Sequence, residues 1–139
     1  SDAHVIIARS AINTGDETKA KSAYVQVEKV ASGELAAEAL YYNAYFKNKE
    51  NSFESSNTTI QKLVRDYSSY KYYAAKGLVI MAKNYYALDD AYQATYILES
   101  VIENFDEFED VVEEAQLELN AIKTELAKTN SSVETNDGN

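Results

Sequence analysis

Apolar side chains recur every three or four positions along most of this chain, and that recurrence predicts seven helices. Val5, Ile6, Ala8 and Ile12 share one face of a first helix within residues 3–13. Thr14-Gly15-Asp16 interrupts it, and Asp16 is placed to cap a second helix over 17–31, whose face holds Ala20, Ala23, Tyr24, Val27 and Val30. Ser32-Gly33 ends that helix. A third begins near Glu34 and carries Leu40, Tyr41, Ala44 and Tyr45. The polar stretch from Asn48 to Ser52 turns the chain into a fourth helix, 53–66, with Phe53, Ser56, Ile60, Leu63 and Val64. After Asp66-Tyr67-Ser68-Ser69, a fifth helix over 71–87 bears Ala74, Leu78, Met81, Ala82 and Tyr85. Leu88-Asp89-Asp90 is a short turn with a capping aspartate, leading to a sixth helix over 91–104 with Ala94, Ile97, Leu98, Val101 and Ile102. A last helix, roughly 108–128, lines up Val111, Val112, Ala115, Leu119, Ile122 and Leu126, with glutamates on its other faces. Residues 129–139 (TNSSVETNDGN) are polar and are expected to form a disordered tail.

Three pairs of small residues organise these helices. Ala8 and Ala20, Ala44 and Ser56, and Ala82 and Ala94 are each twelve apart, and the pairs recur at steps of 36 and 38. A small residue late in one helix, matched by another early in the next, lets two antiparallel helices approach closely. Repeated at such a period, the device predicts an all-α solenoid of three helical hairpins, over about 3–31, 34–67 and 71–105, with a C-terminal capping helix over about 108–128. These elements form one domain, residues 1–128. The polar outer face of the last helix suits the end of such a stack, which otherwise leaves an apolar stacking surface open to water.

Composition sharpens this picture. Proline is absent and glycine occurs four times in 139 residues, which favours long uninterrupted helices. Tyrosine occurs twelve times, and its apolar ring with a polar tip suits half-buried groove walls. The net charge of −10 is uneven: residues 1–98 hold eleven basic and eleven acidic side chains, whereas 99–139 hold Lys123 and Lys128 against twelve acids. That argues against nucleic acid or an anionic membrane as partner of the C-terminal end. No run of about eighteen apolar residues exists, so no membrane-spanning segment is expected.

Catalytic chemistry finds no foothold. There is no cysteine, and His4 is the only histidine, with no partner for a metal or acid–base site. No glycine-rich phosphate loop is present. Asp106, Glu107, Glu109 and Asp110 cluster, but lack the alternating ligands, glycine bend and distal glutamate of a calcium loop; acids at a helix N-terminus explain them. The expectation is a non-enzymatic protein without metal or cofactor.

The repeat resembles the tetratricopeptide repeat. Its signature residues match here as His4, Ile7, Ala8, Ala11, Ala20 and Tyr24; then Leu40, Asn43, Ala44, Lys47, Ser56 and Ile60; then Leu78, Met81, Ala82, Tyr85, Ala94 and Leu98. Ser32, Ser68 and Asp106 stand where the family closes with proline, and Asn43 and Lys47 occupy slots that are normally apolar. The texture of AEALYYNAYF and AAKGLVIMAKNYYALDDAYQATYILESVIENF is similar to tetratricopeptide modules of bacterial cell-envelope proteins, especially those of Bacteroidetes. The resemblance implies a right-handed superhelix whose concave groove binds a protein or peptide, in a fragment of a larger envelope protein, periplasmic or outer-membrane associated. A cytoplasmic location is the alternative. It also implies that Val5, Ile12, Glu38 and Val79 face the groove and that the residues binding a guest there are Arg9 and Asn13; Tyr41, Tyr45, Asn48 and Lys49; Lys76, Lys83 and Tyr86. Aromatic anchors beside positive charge suit an extended peptide with apolar side chains and carboxylates. The competing expectation is a structural spacer of a longer superhelix that self-assembles without a groove ligand.

The small residues make the register testable. Ala44→Leu or Ala82→Leu is expected to overpack a helix crossing and to cost about 1–3 kcal/mol in denaturant unfolding; unchanged stability overturns the pairing.

Overall fold

The computed structural model describes residues 2–137, with side chains over 3–131. Among the described residues there are seven α-helices and no strand: α1 (Asp2–Thr14), α2 (Glu17–Val30), α3 (Gly33–Lys49), α4 (Phe53–Asp66), α5 (Lys71–Ala87), α6 (Ala91–Asn104) and α7 (Glu109–Asp137). The protein is all-α. Helices pack in chain order, α1 on α2 through to α6 on α7, and α5 also touches α3 and α7.

The small residues sit at the crossings within the pairs α1/α2, α3/α4 and α5/α6. Ala8, Ala20, Ala44, Ser56, Ala82 and Ala94 are all 0% exposed. Serine is tolerated because the Ser56 hydroxyl donates to the Ala44 carbonyl at 2.8 Å. A larger side chain at any of these positions has no space to enter without moving a helix axis.

The turns inside the pairs repeat at the same steps. Gly15, Asn51 and Asp89 all have left-handed backbone, with φ of 79°, 63° and 63°. After each, the next residue's N–H reaches five residues back: Asp16 to the Ala11 carbonyl at 2.9 Å, Ser52 to Lys47 at 2.9 Å, Asp90 to Tyr85 at 2.8 Å. This is a Schellman closure, which satisfies the last carbonyls of one helix while starting the next. Asp16 and Asp90 then accept the N–H of Lys19 and of Gln93, as capping residues do.

Between pairs the connections differ in length, which explains the unequal steps. Two residues (31–32) separate α2 from α3, whereas four (67–70 and 105–108) precede α5 and α7. Each connection begins with an N–H bonded four residues back, to the carbonyls of Val27, Leu63 and Val101, all fully buried. Three apolar clusters fill the space between successive helices, centred on Tyr24 and Val27, on Ile60 and Leu63, and on Leu98 and Val101. A fully buried aliphatic such as Leu98 contributes on the order of 1.5–3 kcal/mol.

The C-terminal segment departs from the sequence expectation. α7 runs to Asp137, so most of the stretch expected as a polar tail, 129–139, is helical. No proline or glycine intervenes before Gly138, and a helix already nucleated on packed residues propagates at little cost per residue. Gly138 and Asn139 lie outside the described residues.

The turn geometry predicts an order of substitutions. A Cβ at Gly15 meets no atom within 4 Å, so only the left-handed backbone resists it. Gly15→Ala is expected to cost about 1–2 kcal/mol in thermal or urea unfolding. Gly15→Asn is expected to cost less, because asparagine already holds that conformation at Asn51; equal costs contradict the shared turn.

Candidate functional site

The side chains that face one another across α1, α3 and α5 meet at Glu38. It lies in the run AAEALYY of α3, where its neighbours are alanines and leucine, and it is only 5% exposed. A carboxylate so buried needs partners, and it has three. Arg9 of α1 holds it with two bonds, Nε to Oε2 at 3.1 Å and Nη2 to Oε1 at 2.8 Å. Tyr24 of α2 donates its hydroxyl to Oε2 at 2.7 Å, and Tyr73 of α5 donates to Oε1 at 3.3 Å. One carboxylate thus ties four helices.

The electrostatics follow from this geometry. Burial alone pushes the Glu38 carboxyl up, but the hydrogen bonds from Arg9 and Tyr24 and the Arg9 charge outweigh it, so it stays below the usual carboxylate range. Arg9 is held more firmly protonated by the same bonds. Burial raises the Tyr24 and Tyr73 phenols, and the Glu38 charge raises them further.

Around this node the tyrosines form the walls of a cleft of about 230 Å³, lined by Arg9, Ile12, Asn13, Tyr24, Tyr42 and Tyr73 as well as Glu38. Tyr24 and Tyr42 stack with ring centroids 4.5 Å apart and planes 13° apart. Tyr42 also meets Tyr41 edge-on at 4.9 Å, and Tyr41 lies 6.1 Å from Tyr73. No Cα of α1 approaches one of α3 within 8 Å among the described residues, so side chains alone bridge that junction.

A second row continues along α3 and α5. The Lys76 ammonium lies over the rings of Tyr41, at 4.5 Å, and Tyr72, at 5.2 Å. Half-buried, it is pushed below the ordinary lysine value by desolvation, against the pull of Glu114 and Asp110. Tyr72 donates to Asp110 at 2.6 Å, and that bond, with burial, pushes its phenol up to about 12. Lys49 is exposed above the Tyr45 ring at 5.3 Å.

The nine residues expected in a groove therefore separate into groups. Arg9 and Asn13 border the cleft beside Glu38. Tyr41, Tyr45, Lys49 and Lys76 form the tyrosine–lysine row, with Tyr41 buried rather than open. Asn48 is occupied in a polar network: it donates to Asn84 at 2.8 Å, and Asn84 in turn donates to Ser56 and Asn57. Lys83 pairs with Glu114 at 3.1 Å and Glu118 at 3.6 Å on α7. Tyr86 is half-buried against the α5–α6–α7 cluster, away from the cleft.

The site residues that groove spacing missed are Tyr24, Tyr42 and Tyr73. Their signal lay in Glu38, since a single acid inside an apolar helix run demands donors, and tyrosines are the abundant donors here. The polar slots also have partners: Asn43 donates to Glu28 at 2.9 Å, and Lys47 to Thr59 at 2.8 Å. No group of three or more histidine, cysteine, aspartate or glutamate side chains among the described residues is arranged to hold a metal ion. No helix among them is long and apolar enough to cross a membrane. No protein-family model matches the chain, and no curated protein matches it.

The Glu38 node gives a pH prediction. A carboxyl held below its unfolded value of about 4.3 stabilises the fold above that pH, and the stabilisation is lost as pH falls through the folded value. Glu38→Gln is expected to cost about 1–3 kcal/mol at neutral pH. The gap in melting temperature between wild type and variant should narrow below about pH 4; a constant gap down to pH 2 refutes the assignment.

Proposed function

We propose that this chain is a tetratricopeptide-type superhelix, three helical hairpins with α7 as the cap, that acts as a non-enzymatic scaffold for a peptide or partner protein. One observation carries the reading: buried small pairs and left-handed turn residues recur together at 36 and 38. Coincidence of side-chain size with backbone conformation at one period is what stacked copies of a single unit produce.

The binding side is formed by α1, α3 and α5. Its rings are held by stacking and its ammonium groups lie over rings, so little side-chain freedom remains to be lost when a guest is bound. Arg9, Asn13 and Lys49 stay exposed at its rim as donors. The guest that fits is an extended segment with apolar side chains for the tyrosines and carboxylates for the rim. A place in a bacterial envelope, periplasmic or outer-membrane associated, is proposed on the family resemblance alone.

The test uses immobilised octapeptides with two apolar residues, acidic side chains and a free C-terminal carboxylate. The chain is expected to retain a subset of them. Lys49→Glu combined with Asn13→Ala should lower retention about tenfold with an unchanged unfolding midpoint. No retained peptide, or equal retention by the variant, overturns the groove.

A further inference from the structure

The outer face of α6 carries two tyrosine rings that the rest of the chain leaves open. Ten of the twelve tyrosines pack into the three apolar clusters. The other two are Tyr92 and Tyr96, 79% and 61% exposed. Neither side chain makes a hydrogen bond or a ring contact among the described residues. They stand four apart, and Glu99 and Glu103 follow at steps of three and four. Two rings and two carboxylates therefore share one exposed stripe about 16 Å long.

This stripe is not a stacking surface. Counted from the buried small residue of each pair, the same positions are Thr18, Ser22, Val25 and Lys29 in α2, and Glu54, Thr58, Gln61 and Arg65 in α4. All eight are exposed. Every pair turns this side to water, so a further pair stacked on either end leaves it open. In α2 and α4 its first two positions are polar, whereas in α6 they are large rings, and an aromatic pair in water is a cost with no benefit inside this chain. The far end also changes sign, from Lys29 and Arg65 to Glu103.

Charge selects the guest. From Asn84 to Ile122 the chain has eleven acidic residues and no lysine or arginine. Glu99 lies 3.7 Å from Lys123, but both are well exposed and such a pair is weak. Glu103 has no ion pair among the described residues. Such a surface repels nucleic acid and anionic lipid and attracts a basic segment. Arginine suits the rings better than lysine, because its planar guanidinium stacks on an aromatic face while its N–H groups still reach a carboxylate.

We propose that the Tyr92-Tyr96-Glu99-Glu103 stripe docks an arginine-rich segment of a partner protein, its guanidinium groups stacked on the two rings and bonded to the two carboxylates. Alternate residues of an extended chain lie about 6.6 Å apart on one side, and the two rings start about 6 Å apart along the helix axis, so arginines at every second position match them. None of the four residues lines the Glu38 cleft. The guest is basic where the groove guest is acidic, so either can fail without the other.

The test uses the intact chain and a fluorescein-labelled peptide of four Arg-Ser repeats. Anisotropy is expected to rise saturably, with an affinity that falls as salt rises. Tyr92→Ala with Tyr96→Ala should weaken binding about tenfold at an unchanged unfolding midpoint, and Tyr92→Phe with Tyr96→Phe should preserve it. Glu99→Gln with Glu103→Gln should also weaken it. Glu109→Gln with Glu113→Gln, which removes as much exposed charge from α7, should change it less than about twofold. A peptide of four Lys-Ser repeats should bind about threefold or more weakly. Absence of saturable binding, equal binding by the Tyr92/Tyr96 alanine variant, or equal binding of the lysine peptide overturns the proposal. So does an equal loss in the Glu109/Glu113 variant, because binding is then diffuse charge attraction. Light scattering that shows a dimer of the intact chain and a monomer of the Tyr92/Tyr96 alanine variant overturns it too, because a second copy then covers the rings.

Discussion

Close approach of helices at Ala8/Ala20, Ala44/Ser56 and Ala82/Ala94 is the constraint on which the rest of the structure depends. With no more than a methyl or hydroxymethyl group on either side, the two backbones set the separation, and the neighbouring large side chains must turn outward to the next helix. The left-handed residue seven positions after the first alanine closes the pair before either axis can drift. Ser56, the one member that is not alanine, shows how far the constraint reaches. Its hydroxyl is bonded to the carbonyl of its own crossing partner and receives Asn84 from α5, so a helix crossing and a helix junction share one atom.

The parts of this design that are local were legible in the sequence. Helix period and the capping roles of Asp16 and Asp90 depend on residues within about one turn of each other, and the small pairs on residues only twelve apart on successive helices. The candidate site was legible only in part, because it depends on what approaches from other helices. Lys76 and Lys83 read as positive charge for a guest; in the fold one lies over two tyrosine rings and the other is paired to α7 glutamates that are distant in sequence. Tyr41 reads as an open anchor, yet Tyr42, Tyr45 and Tyr73 crowd it and it is buried. The tail failed for a different reason. Polar composition signals disorder only when nothing propagates order into it, and here a packed helix runs directly into residues 129–137.

The acidic excess takes on a structural meaning in this light. Glu114 and Glu118 bring carboxylates to Lys83, and Asp110 accepts from Tyr72. Partly exposed pairs of this kind contribute little stability. Their effect is on charge: they neutralise the α5 end of the tyrosine–lysine row, as Glu38 neutralises Arg9, and leave the exposed positive charge of the row at Lys49 on α3.

The junctions between pairs are not equivalent, and the inequality creates the cleft. At the α4/α5 junction Ile60 meets Ile80, and at α6/α7 Leu98 lies among aliphatics. At α2/α3 the same register holds Tyr24 and Tyr42, two stacked rings whose hydroxyl and edges demand polar company. The connection there is also two residues shorter, which limits how α3 can settle on α2. The result is a gap between α1 and α3 that backbone atoms do not close and that Arg9 and Glu38 bridge instead. A buried, fully bonded carboxylate adds little net stability compared with an apolar core, but it fixes which atoms must meet. The fold gives up apolar contact at this one junction, and there it gains a shaped recess with donors at its rim.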